Sequence, residues 1–96
     1  MSASLNSMRR RIDRLDAELV RLINERAKIA GKIGDLKSQA GLPIFDRSRE
    51  GFVLDRISKL NPGPISEGSM RRLFSGLIQE CRRLEKRRLG KHLVRR

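Results

Sequence analysis

One cation stands where a helix should present only apolar side chains. Stepping alternately by three and four from Leu5 gives Met8, Ile12, Leu15, Leu19, Leu22, Arg26, Ile29, Ile33, Leu36 and Ala40. Ten of these eleven positions are apolar, and the exception is Arg26. A guanidinium on such a seam is costly unless it is paired, and its planar fork suits a carboxylate. The plainer alternative is that Arg26 snorkels to solvent or meets an acid across a helix–helix interface. Lys37 lies eleven residues on, about 20° from three whole turns and roughly 16 Å along the axis. Arg26 and Lys37 therefore share a face. Ala30 and Ile33 lie between them with Gly34 beside, which leaves room for a small dianionic molecule. Arg9 is about 100° away in angle and roughly 25 Å along the axis from Arg26. It cannot join the same ligand from the same helix, but an antiparallel second chain could deliver it.

Further along, the run Asp46-Arg47-Ser48-Arg49-Glu50 puts Asp46, Arg49 and Glu50 on one side of a second helix. From spacing alone, capping and helix-dipole chemistry is the stronger reading there. Cys81 and Glu85 are one turn apart on a third helix, with Glu85 adjoining an apolar stripe. A carboxyl at the rim of a core is a candidate for a raised pKa. Against that stands a surface acid pairing with Arg82 or Arg88. No Ser/His/Asp set, Gly-rich phosphate loop or paired-carboxylate motif is present. A single Cys81 excludes an intrachain disulfide, and no His/Cys cluster has metal-ligand spacing. No metal and no cofactor is expected.

The elements that must position these groups are three helices. The seam predicts one long helix over about 4–40, with acid–base neighbours such as Glu18/Arg21 and Arg21/Glu25 on its outer faces. Gly41-Leu42-Pro43 ends it. Asp46 is the expected N-cap of a helix over 46–60 with the stripe Val53, Leu54, Ile57 and Leu60, broken by Asn61-Pro62-Gly63-Pro64. Ser66 caps a third helix over about 66–88, striped by Met70, Leu73, Phe74, Leu77, Ile78, Cys81 and Leu84. No segment alternates with period two, so the expected fold class is all-α and a single domain covers 1–96. A rod of about 35 residues spans roughly 50 Å. Two shorter helices cannot cover its seam, which predicts an intertwined helical homodimer.

Composition agrees with a small, aromatic-poor core: 38% hydrophobic residues, three Phe, no Trp and no Tyr. The net charge of +12 suggests nucleic acid only if its distribution is ignored. Residues 82–96 hold eight Lys/Arg against one acid, so the body of the domain is ordinary and the tail over 86–96 is basic. A solvated helix face with a frayed end accounts for most such runs, and His92 is expected in that unstructured tail. No stretch reaches the ~18 apolar residues of a membrane span, and no apolar core of a signal peptide opens the chain. A reduced, cytoplasmic setting fits these features.

Taken in order, the residues resemble the all-helical class of chorismate mutase. The resemblance is carried by Met8-Arg9-Arg10-Arg11-Ile12-Asp13-Arg14-Leu15-Asp16, Leu22-Ile23-Asn24-Glu25-Arg26 and Ile33-Gly34-Asp35-Leu36-Lys37. It continues through Pro43-Ile44-Phe45-Asp46-Arg47-Ser48-Arg49-Glu50, Leu73-Phe74 and Cys81-Arg82-Arg83-Leu84-Glu85. It implies an intertwined dimer of three-helix chains that converts chorismate to prephenate in aromatic amino-acid biosynthesis. It further implies that Arg26 holds one substrate carboxylate and Arg9 from the other chain the second. Lys37 would contact a carboxylate and the ether oxygen. Asp46 and Glu50 match positions that hold the ring hydroxyl, and Arg49 matches a supporting arginine. Cys81 falls where some members have a Ser near the ring carboxylate. Glu85 falls where many have a Gln contacting the ether oxygen, although Glu also occurs there.

Two other functions compete with this one. An isochorismate pyruvate-lyase would use the same scaffold and cations on a related substrate. A small basic nucleic-acid binder using residues 82–96 is disfavoured, because it leaves Arg26 and Lys37 without a role. The tail, through Arg87-Arg88-Leu89-Gly90, is a candidate docking element for a partner enzyme of the shikimate pathway, since short stand-alone mutases can be regulated in that way.

Overall fold

The computed structural model describes residues 2–94, with side chains from 4 to 87. Three helices follow one another: α1 over Ser2–Ala40, α2 over Arg47–Leu60 and α3 over Glu67–Val94. No strand occurs among the described residues. α3 packs against both α1 and α2 and bridges them. The molecule measures 62 × 28 × 14 Å with a radius of gyration of 17.4 Å. A compact chain of this length would have a radius nearer 12 Å, by roughly 2.2·N^0.38 Å. The excess length is α1, much of which projects beyond the other two helices.

The helix ends are built by the residues that the spacing picks out. Gly41 takes the left-handed conformation at φ 68°. Its N–H donates to the Ser38 carbonyl and that of Leu42 to the Lys37 carbonyl, at 3.2 and 2.8 Å. This pair of bonds satisfies carbonyls that α1 would otherwise leave open. Asp46 caps α2 by accepting from the Arg49 N–H at 3.0 Å. Ser66 caps α3 by accepting from the Ser69 N–H at 3.1 Å. Arg21 pairs with Glu18 and, at 2.7 Å, with Glu25 on an exposed face of α1.

Two features differ from the sequence reading. α3 runs to Val94, past the expected end near residue 88, and carries His92 within its helical span. The segment contains Leu, Lys and Arg, all good helix formers, and a lone Gly90 costs only about 1 kcal/mol against Ala. The second difference concerns which face of α1 meets α3. Contact runs through the small residues Ala30, Gly31 and Gly34, all buried, on the flank of the seam. A Cβ on Gly34 would lie 3.0 Å from the Glu85 Cβ and 3.1 Å from its Cα, so any larger residue would push α3 away by a few tenths of an ångström. The seam itself stays open: Leu5, Ile12, Leu15, Leu19, Ile29 and Leu36 are each more than half exposed. Among the described residues the buried apolar side chains are Ala30, Ile78 and Cys81.

Candidate active site

Arg26 and Lys37 lie along the border between the open seam and the face packed on α3. That border forms one wall of a cavity of about 240 Å³. The α2 N-terminus supplies a second wall with Asp46, Arg49, Glu50 and Val53, and α3 supplies a third with Ile78, Cys81, Arg82 and Glu85. Ligand pockets commonly run from roughly 300 Å³ upward, so this one suits a small metabolite rather than a nucleotide cofactor. Seven of the eight residues singled out in the sequence converge here: Arg26, Lys37, Asp46, Arg49, Glu50, Cys81 and Glu85. Arg9 is not among them. It is exposed on the projecting part of α1.

Each group arrives with a distinct set of partners. Arg26 donates from Nη1 to the Cys81 Sγ at 3.2 Å. Among the described residues no carboxylate pairs with it, and a thiol is a weak acceptor. Lys37 donates to the Ile44 carbonyl at 2.8 Å, which fastens the α1–α2 loop over the cavity, and its Nζ lies 3.6 Å from Glu85 Oε2. Arg49 stacks its guanidinium over Phe52 at 5.2 Å. Asp46 serves as the cap of α2 while also facing the cavity, so capping and site placement coincide at that residue.

Glu85 is the buried acid, at 9% exposure. Its Oε2 has no hydrogen-bond partner. Burial pushes its pKa above the ordinary carboxyl value, and nearby Glu50 pushes the same way. Lys37 and Arg82 pull it down but do not overcome the loss of solvent. Glu85 is therefore not a surface acid, and Arg82 is not its ion-pair partner. Glu85 faces Lys37, Arg82 turns to Glu50 instead, and the side chain of Arg88 lies outside the described residues.

Arg82 is the cavity residue whose role the sequence did not reveal. Its Nη2 sits 2.7 Å from both carboxylate oxygens of Glu50, thirty-two residues away. Its position three residues before Glu85 places it on the same face, and that spacing was the available signal. The partner was not, because no local pattern links residues 50 and 82. The cavity thus carries four cations (Arg26, Lys37, Arg49, Arg82) and three carboxyls (Asp46, Glu50, Glu85). The cations outnumber the carboxyls, which favours an anionic ligand. The described residues hold no group of three or more His, Cys, Asp or Glu side chains fit to hold a metal. No described helix is long and apolar enough to cross a membrane.

The fold and cavity define an all-helical protein with a cation-rich pocket between its three helices. A family model for chorismate mutase type II matches residues 8–86. The chain belongs to that family. The chorismate mutase of Methanocaldococcus jannaschii is 34% identical over 90 residues, covering 93% of this chain and 91% of that protein. The bifunctional chorismate mutase/prephenate dehydratase of Aquifex aeolicus is 39% identical over 87 residues, which is 86% of this chain. The chain spans about a quarter of the length of that bifunctional relative. The solved form II structure of the chorismate mutase from Thermus thermophilus superposes with a TM-score of 0.85 at 34% identity. That match covers 86% of this chain and 94% of the other.

Proposed function

We propose that the chain is a chorismate mutase, an isomerase that rearranges chorismate to prephenate in aromatic amino-acid biosynthesis. The observation that carries this is Arg26. It is a half-buried guanidinium on a cavity wall whose partner among the described side chains is a thiol, so its fork is open to a substrate carboxylate. The reaction is unimolecular: one C–O bond breaks as one C–C bond forms, and no nucleophile is required. The cavity has only to hold the compact, chair-like substrate and stabilise negative charge on the departing oxygen. Arg26 holds one carboxylate, and Lys37 reaches both a carboxylate and the ether oxygen. Asp46 and Glu50 accept from the ring hydroxyl, with Arg49 supporting them. Cys81 lies near the ring carboxylate. Glu85, whose Oε2 is buried with no hydrogen bond and faces Lys37 at 3.6 Å, donates to the ether oxygen when protonated.

The second carboxylate is met by Arg9 of a second chain in an intertwined homodimer. Support comes from the open seam of α1. A row of half-exposed Leu, Ile and Met side chains extends well past the reach of α2 and α3, and each is worth about 1.5–3 kcal/mol when fully buried. A second copy of α1 has the length and pattern to cover it. A cytoplasmic site of action fits this reading. The basic end of α3 is the proposed contact for a shikimate-pathway partner enzyme, tested by comparing turnover with and without the partner synthase.

The decisive assay incubates purified protein separately with chorismate and isochorismate and follows prephenate and salicylate. Prephenate from chorismate, lost in Arg26→Ala, is the expected result. Salicylate from isochorismate without prephenate would assign the lyase reaction instead. Retained activity in Arg26→Ala would refute the central role given to that residue.

A further inference from the structure

α2 carries much of the cavity wall, yet no residue of that helix is buried. Its stripe of Val53, Leu54 and Ile57 reaches only half-burial, and Leu60 is 59% exposed. Apolar packing alone therefore holds α2 weakly, and polar ties must set where its first turn sits. At its far end Arg71 of α3 bonds Asp55 and Ser58, each at 3.1 Å. At the cavity end the tie is Arg82. Its Nη2 bridges both oxygens of Glu50 at 2.7 Å, and both side chains are only 26% exposed. The same guanidinium lies 4.5 Å above the ring of Phe45, in the loop just before the Asp46 cap. One side chain of α3 thus grips the residues on either side of Asp46 and Arg49.

We propose that Arg82 is a positioning residue, locking the first turn of α2 against α3 so that Asp46, Arg49 and Glu50 are held ready for substrate. This rests on the reading of the cavity as the substrate site. Arg82 need not touch substrate for this role. A carboxylate offers about four acceptor positions, so Glu50 retains capacity for a ring hydroxyl while it is held by Arg82. Both charge-assisted bonds leave Nη2, and the planar guanidinium lying over Phe45 holds that nitrogen in place, an arrangement that the flexible ammonium of a lysine does not reproduce.

The test compares wild type, Arg82→Met and Arg82→Lys as full-length chains. Arg82→Met keeps the apolar stem but removes the guanidinium from Phe45 and Glu50, and Arg82→Lys keeps the charge but loses the planar group. Amide hydrogen exchange without ligand reads the positioning directly. The Arg49 and Glu50 amides are expected to exchange about tenfold faster in Arg82→Met, less so in Arg82→Lys, with α1 amides unchanged. In chorismate turnover, KM is expected to rise by about tenfold or more while kcat falls less. That loss should vanish in a Glu50→Gln background, because both substitutions remove one interaction. Unchanged exchange at Arg49 and Glu50, or additive kinetic losses in the double variant, would overturn the inference. Wild type that leaves chorismate untouched while the exchange difference is present would refute the reaction and leave the positioning role standing.

Discussion

The two halves of α1 carry the same alternation of threes and fours and face different surroundings. From Leu5 to Leu22 the seam is open, and its large apolar side chains are about half exposed. From Arg26 to Lys37 the adjoining face meets α3 through Ala30, Gly31 and Gly34, and the border residues become a cavity wall. The pattern specifies helix and apolar face in both halves, but not what covers that face. Small residues decide that. Where Ala and Gly flank the seam a helix from the same chain comes close, and where charged residues flank it only the seam is left for another partner.

The largest effect expected from breaking this contrast is in the open half. Leu15 is 60% exposed in the single chain, so Leu15→Asp would be within about 0.5 kcal/mol of neutral if the chain acted alone. In a dimer it buries an unpaired charge. Dimer by sedimentation and turnover should both be lost, and Tm should fall by roughly 10 °C or more. A folded, active Leu15→Asp monomer would remove the case for the second chain.

In the closed half, Arg26→Ala should cost on the order of a hundred- to a thousandfold in kcat/KM. The fold should survive, because Arg26 makes no buried ion pair here. Arg9→Ala should be nearly as damaging although Arg9 lies outside the cavity. The two halves are joined by mixing these inactive variants after unfolding and refolding them together. Each mixed dimer regains one site with Arg26 from one chain and Arg9 from the other, so about a quarter of sites should recover in a two-fold assembly. No recovery would place Arg9 outside the site.

A smaller effect is expected where α1 and α3 come closest. Gly34→Ala sets a Cβ against the Glu85 Cα and side chain, and such overpacking costs about 1–3 kcal/mol, less the gain in helix propensity. Tm should drop by several degrees, with kcat falling because Glu85 is displaced from Lys37.

Much of this was legible in the sequence because it is local. Helix seams, Gly41, Asp46 and Ser66 act over a few residues, and the Arg26–Lys37 face follows from helical geometry alone. What escaped is tertiary. Arg82 finds Glu50 only once α2 folds back on α3, and no spacing encodes a contact thirty-two residues apart. The α1–α3 contact was hidden for a related reason, since buried Gly and Ala leave no hydrophobic signal. The full span of α3 escaped because a basic run looks like a frayed end, although its residues favour helix.

The finest distinction between the halves lies in protonation. On the open half of α1 the carboxyls are solvent-exposed, whereas Glu85, against its closed half, is buried and its pKa is raised chiefly by lost hydration. The folded state therefore holds this proton more tightly than the unfolded chain. The stability that follows is present at low pH. It is lost as pH rises from the ordinary carboxyl value through the raised folded one. Catalysis should follow the same direction, because only the protonated acid can donate to the ether oxygen. Glu85→Gln keeps a donor and removes the titration, so it should flatten both kcat/KM and Tm against pH in that window. A wild-type profile already flat from about pH 5 to 8 would mean that Lys37 alone meets the developing charge and that Glu85 serves only to pack against Gly34.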